Sequence, residues 1–494
     1  MNALPKIVAT FFAMTILTAA GCGGGGGYGG GAAPPPPPPP PTGGITRTGV
    51  AVGPITGFGS VIVNGTTYNT ANATFTIDDL PATQDDFSVG QVVLLQGTIR
   101  DDGTNAVAST VVLEDAVEGP VSSTNDPLNQ IVVLGQTVQI TATTSIDDNC
   151  PGTLVGLLGV TAVEVSGAAD ANGVIEATRI DCRDATWDGI MEVNGIVSAH
   201  NDVARTFMIN GLVVDYDGAP VDNFPTAGII NNDDPVEVKG TVFIGNTLEA
   251  TRVEYKGNRF ANDDGNHAEI EGFITRFGSA TDFDVSGIPV TTTASTTFEG
   301  GVATDLGLNL KVEVEGEFNA TGRLVASKID IKSATAIRVT GNLDLVNGGT
   351  LTILGITVNT DPVKTRFEDK SSVRVDPLRA GDLNTGDYVD IRGQELPVGQ
   401  ITALIVERDD PDTRTELRGF VEAGGKNEPN LTVLGVTIVT NGSTQYRDSR
   451  GSTDVPMNPV DFWAAVQEGS LVDARGAESG DTTLTATELE LQMD

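Results

Sequence analysis

An eight-residue pattern recurs six times along this chain, and it limits the possible folds more than any other feature. In its clearest copies, Leu351 to Val358 and Leu431 to Ile438, apolar and polar residues alternate up to a central x-Gly pair and then resume. Period-2 alternation interrupted by a two-residue turn signal specifies a β-hairpin. The turn is Asn64-Gly65 in the first copy, Asn210-Gly211 in the third and Ser286-Gly287 in the fourth. In the second, fifth and sixth copies it is Leu-Gly, with the glycine at Gly135, Gly355 and Gly435. These six glycines are the fold-specifying turn positions. Leucine tolerates positive φ poorly, so the Leu-Gly turns are expected to be type II or bulged.

Other elements recur around the hairpin in a fixed order. A short strand with a glycine opens each unit, as in Ile270-Glu271-Gly272-Phe273-Ile274. After the hairpin comes a Thr-rich strand that often ends near an aromatic, as in Thr297-Phe298. A variable loop leads to an alternating strand that ends at glycine, as in Val312-Glu313-Val314-Glu315-Gly316. A last strand, such as Leu324-Val325-Ala326-Ser327-Lys328-Ile329, closes the unit. Alternation gives each strand one buried and one wet face. The glycine ending the V-x-V strand implies a sharp bend, as in small closed barrels. The third copy departs most, with Asp215-Tyr216-Asp217-Gly218 in place of the Thr-rich strand. A unit of roughly 60–80 residues is too long for a solenoid rung and suits a small domain. The fold class is therefore all-β: six tandem small antiparallel β-barrels, OB-like, with a small sandwich as the alternative. The repeats are placed at 53–117, 118–188, 189–267, 268–335, 336–415 and 416–494.

The order G-x-V, F-x-h-x-G-x-x-V, T-x-F, V-x-V-x-G and A-x-x-I, with h apolar, resembles the bacterial domain of unknown function 5666. The resemblance covers about Gly53 to Asp494. It implies tandem copies in an exported lipoprotein. It brings no activity, so it assigns no functional residue.

The start of the chain points the same way. Lys6 precedes an apolar run from Ile7 to Ala20, of signal-peptide length and short for a membrane span. The segment Leu17-Thr18-Ala19-Ala20-Gly21-Cys22 resembles a bacterial lipobox, with Ala19 where leucine is commonest. It implies a lipoprotein signal peptide over 1–21 and acylation of Cys22; an ordinary cleaved signal peptide is the alternative. Gly23 follows the cysteine, without the aspartate that resembles an inner-membrane retention signal, so the outer membrane is expected, facing the periplasm or the cell surface. Residues 22–52 then form a Gly/Pro-rich disordered linker. Its eight prolines, Pro34 to Pro41, make a polyproline II rod of roughly 25 Å. The remaining cysteines, Cys150 and Cys182, form a disulfide in an oxidising compartment, or else stay as two buried thiols.

Chemistry-bearing motifs are scarce. Gly57-Phe58-Gly59-Ser60-Val61 is not a nucleophile elbow, and no metal-protease, phosphate-loop or dinucleotide fingerprint appears. Trp187 and Trp463 are the only tryptophans, and both are read as core, Trp463 on a short helix over 460–466. A net charge of −37 repels phosphate backbones, so nucleic acid is not an expected partner. Loops such as Asp101-Asp102-Gly103, Asp147-Asp148-Asn149, Asp170-Ala171-Asn172-Gly173 and Asp409-Asp410-Pro411-Asp412 could offer hard oxygens to loosely held Ca²⁺, but they are first of all turn sequences. No cofactor, catalytic residue or metal site is assigned. The expected role is a non-catalytic envelope lipoprotein, anchored through lipid, whose string of barrels binds a protein or glycan. The alternative is a passive spacer, and a hydrolase using acidic residues stands third.

Overall fold

The computed structural model describes residues 46–100, 106–125, 128–257, 265–332, 337–396, 400–450 and 455–492. The signal peptide, Cys22, the linker as far as residue 45 and the Asp101–Gly103 loop lie outside them. Residues Thr46–Val52, assigned to the linker from sequence, belong instead to the opening strand of repeat 1, Thr46–Gly57. Extended pairing with two other strands draws them into the fold.

Each repeat closes a five-stranded ring. In repeat 4 the opening strand His267–Ser279 pairs antiparallel with the first hairpin strand, Asp282–Val285. That strand pairs with the second, Ile288–Thr291, which lies parallel to the closing strand, Leu324–Ile331. The closing strand pairs antiparallel with the bulged strand Lys311–Phe318, which returns to the opening strand. The same ring forms in repeat 1, repeat 2, repeat 3, repeat 5 and repeat 6. Closure pairs the edges of the ring except along the front half of the opening strand. This is the expected OB-like barrel, with two parallel pairings added to the antiparallel ones. The second comes from the Thr strand, which also lies along the closing strand, as Thr297–Glu299 does in repeat 4. In repeat 3, where that motif is missing, Val221–Asp222 takes its place.

The motifs have local causes. Gly97, Gly167, Gly240, Gly316, Gly393 and Gly476 sit where the bulged strand slips register against the closing strand. A Cβ at any of them would collide with a carbonyl oxygen of that strand, such as that of Val325 for Gly316. The Thr strand and the A-x-x-I motif are two ends of one bond. The hydroxyls of Thr144, Thr296, Thr365 and Thr444 donate to the carbonyls of Ala177, Ala326, Ala403 and Ala486 at 2.6–2.7 Å.

The Leu-Gly turns depart from expectation. Leu134, Leu354 and Leu434 have φ of 47°, 51° and 50°, and the glycines after them 72°, 72° and 78°. Two successive positive φ values make a type I′ turn, not type II, because the primed turn matches the twist of the two strands. The left-handed conformation costs a leucine about 1–2 kcal/mol. Burial offsets this: the three leucines are 0%, 1% and 3% exposed, and burying a leucine contributes about 1.5–3 kcal/mol. In repeat 2 the opening-strand glycine makes the seat. A Cβ on Gly119 would lie 2.8 Å from Leu134 Cγ.

The described residues form one compact unit, in which the six barrels pair with one another. The front half of each opening strand has a free edge in a lone barrel, and a neighbouring repeat covers it. Repeat 1 pairs with repeat 4 in parallel, Gly49–Val52 against His267–Ile270. Repeat 2 pairs antiparallel with repeat 3 through Val117↔Val193 and Glu118↔Glu192. Repeat 5 pairs antiparallel with repeat 6 through Arg338↔Arg418, Val339↔Leu417 and Thr340↔Glu416. The two antiparallel pairs share continuous hydrophobic cores, whereas repeats 1 and 4 keep separate ones.

Candidate functional site

Cys22 lies outside the described residues. Cys150 and Cys182 are joined in a disulfide with Cα atoms 5.2 Å apart, which ties the loop after the Thr strand of repeat 2 to its closing strand. Gly65, Gly135, Gly287, Gly355 and Gly435 occupy the left-handed second turn position. Gly211 does not; it packs against repeat 2, where its Cβ would lie 2.9 Å from the Gly135 carbonyl. Trp463 is core, on the helix Pro459–Ala465, which Asn458 caps by accepting from the Asp461 amide. Trp187 is half-buried and lines an open cleft.

The Asp-rich loops act as turns. Asp147 accepts from the Asn149 amide, Asp170 from those of Asn172 and Val174, and Asp410 from that of Ser372. Among the described residues no three His, Cys, Asp or Glu side chains gather as a metal site. The two histidines are engaged locally, His200 Nε2 with the Tyr216 hydroxyl at 2.6 Å and His267 with Glu269 at 3.3 Å.

Sequence reasoning missed the charged seams between repeats. The middle residues of the V-x-V strands, read as facing water, are buried against neighbouring repeats: Glu164, Glu237, Asp390 and Asp473 are 2–8% exposed. Guanidinium and ammonium groups meet them. Arg338 bonds Asp390 at 2.7 Å and reaches Glu416 across the repeat 5–6 seam at 3.4 Å, and Arg475 bonds Asp473 at 3.0 Å. Arg366 of repeat 5 enters repeat 2, donating to the carbonyls of Thr178 and Thr143. Burial pushes Asp473 up to about 7, aided by the charge of Glu416 and opposed by Arg475. Asp390 is held below the ordinary range, because Arg392 and Arg338 outweigh its burial. The only sequence signal was the recurrence of Arg or Lys two residues after the seam carboxylate, as in Asp390–Arg392, Asp473–Arg475 and Glu237–Lys239.

Two open clefts face solvent. One, of about 440 Å³, lies between repeats 1 and 2 with Ile77, Asp78, Arg183, Trp187 and Asp188 in its walls. The other, of about 390 Å³, lies on repeat 3 beside Asp215, Asp217, Val242 and Glu249. Exposed apolar side chains recur in the connection between the hairpin and the bulged strand of every repeat: Leu80, Val155 and Leu158, Ile229, Val302 and Leu308, Val373, Val455 and Val460. Repeat 3 adds Ile196, Val203, Val242 and Ile244.

Comparison with known proteins returns one family, described as Domain of unknown function (DUF5666). It matches residues 52–111, 118–181, 194–254, 271–330, 339–407 and 418–490. No curated protein matches the chain.

Proposed function

We propose, from the premise that this chain belongs to the DUF5666 family in six tandem copies, that it is a non-catalytic binding or scaffold module of the cell envelope. It is held at the outer membrane by an acylated Cys22 and kept off the lipid by its Gly/Pro linker. The partner is an envelope protein or glycan. The observation that carries this reading is the recurrence of exposed apolar side chains in one connection of all six repeats, from Leu80 to Val460. Their return at one place in a repeated unit, one or two to a repeat, offers a partner equivalent apolar contact points on every copy. A passive spacer needs a uniformly polar exterior, and the exposed apolar side chains of every repeat depart from one. An enzyme would concentrate convergent carboxylates in one enclosed pocket. Here the buried carboxylates are spread along the seams.

The test is crosslinking of the acylated protein in its own cells, with mass spectrometry of what is captured. Repeat 3, with Val203 96% and Ile244 70% exposed, is the sensitive place. A partner recovered stoichiometrically with the native protein, and lost from Val203→Asp, Ile244→Asp, is the expected result. Capture of envelope proteins merely in proportion to their abundance, from both forms, would sink the protein-binding reading.

A further inference from the structure

The seam between repeats 2 and 3 holds more buried acid than buried base. Glu118 and Glu192 stand directly opposite each other on adjacent antiparallel strands, 4% and 5% exposed. Asp115 lies behind them, equally buried, with the Ser166 hydroxyl at 3.5 Å. Glu164 and Glu237 enter from the bulged strands of the two repeats. Three cations face this set. Arg183, from the closing strand of repeat 2, bonds Glu118 at 2.7 Å and also Glu164. Lys239, from the bulged strand of repeat 3, lies 3.0 Å from Glu192 and 3.9 Å from Glu237. Lys256 bonds Glu237 at 2.7 Å and is shared with Glu254. Among its described side chains, repeat 1 brings acid and an amide to this set. Its Asp79 draws on Lys239 at 3.5 Å, its Asp78 adds negative charge, and its Gln91 amide donates to Glu164. Asp188, just before repeat 3, also faces Glu118.

Five carboxyls therefore share three cations. Like charges directly opposite on paired strands repel, and in a dry seam salt does not screen them. Even without Asp78, Asp79, Asp188 and Glu254 at its margin, this set balances only when two of the five retain protons. The environment selects which. Burial, then the charge of Glu237, pushes Glu192 up to about 8 against the pull of Lys239. Burial and the charge of Glu192 raise Asp115 well above the carboxylate range.

We propose that this seam is a proton-held latch, in which repeats 2 and 3 stay joined while protons sit among Asp115, Glu118 and Glu192, and their contact loosens when alkaline pH removes them. The direction follows from linkage. A carboxyl held above its unfolded value binds more proton in the native state, so its contribution is full at low pH and is lost as pH rises through the folded value. The latch bears on binding, because the repeat it would loosen is the one with the most exposed apolar side chains.

The reporter is the backbone amide of Asn194, which donates to the Ala116 carbonyl across the seam at 3.0 Å. Hydrogen exchange at this amide is measured in the full chain from about pH 6 to pH 9 and corrected for the intrinsic rate. Native protein is compared with the doubly neutral Glu192→Gln, Asp115→Asn variant. Protection should fall with pH in the native protein at least about tenfold more than in the variant. Should the double variant fail to fold, Glu192→Gln alone carries the same comparison, because glutamine has the shape of the protonated acid. Equal protection in native and neutral forms across this range would overturn the latch.

Discussion

Replacing Leu134 by glycine sets two effects of opposite sign against each other, and the structure decides between them. Leu134 has φ of 47°, so glycine relieves about 1–2 kcal/mol of left-handed strain. The side chain is also fully buried in the shared core of repeats 2 and 3, over Gly119. Truncating a buried leucine costs about 2–5 kcal/mol, and the extra freedom of glycine in the unfolded chain adds about 0.5–1 kcal/mol. Burial wins, and the variant should lose about 2–4 kcal/mol. The two tryptophans make this readable, since Trp187 packs on the core of repeats 2 and 3 and Trp463 on that of repeats 5 and 6. In a Trp463→Phe background, urea unfolding followed by fluorescence reports Trp187 alone. At a slope of about 1–3 kcal/mol per molar urea, the midpoint should fall by about 1–2 M. A midpoint at or above that of the parent would show that the turn, not the packing, sets the preference at this position.

Two further outcomes follow from the same geometry. Asp473, raised from 3.8 to about 7, binds more proton folded than unfolded between these values, so its contribution is present near pH 4 and lost as pH rises through 7. Thermal melts of Asp473→Asn and native protein at about pH 5 and pH 8, followed at Trp463, should show the native form losing more stability at the higher pH; parallel curves would refute the assignment. The Cys150–Cys182 bond closes a loop with a sequence separation of 32, worth about 3–4 kcal/mol in the chain-entropy model. Cys150→Ser, Cys182→Ser should lower the Trp187 transition and leave that of Trp463 in place, and a shift of both would mean that the repeat pairs unfold as one unit.

What was legible in the sequence is what strands and turns determine locally. Gly316 announces a bulge because a side chain there meets the Val325 carbonyl, whatever lies outside the barrel. The Thr296–Ala326 bond joins two motifs of one repeat, and both recur in other copies. The Leu-Gly turns were misjudged because propensity was weighed without packing; a leucine that fills a core tolerates a backbone it otherwise avoids. The seams were illegible for a different reason. Glu164 and Asp473 alternate with valine or alanine as any half-wet strand would, and the groups that meet them from other repeats, Gln91 at Glu164 and Arg338 near Asp473, are not adjacent in sequence.

A paired repeat need not be the next one in sequence, since repeat 1 pairs with repeat 4 across the whole of repeats 2 and 3. No local periodicity encodes such a choice. In the two antiparallel pairs the opening strands do carry charge at the contact: Arg338 finds Glu416 in the next repeat, whereas Glu118 meets Glu192 and draws on Arg183 and Lys239. One barrel design used six times thus yields seams of different electrostatic character. The two antiparallel pairs carry different residues beside the paired Val117–Val193 and Val339–Leu417 positions, Glu118 against Glu192 in one and Arg338 against Arg418 in the other. The seams, more than the barrels, are where the six copies differ in charge.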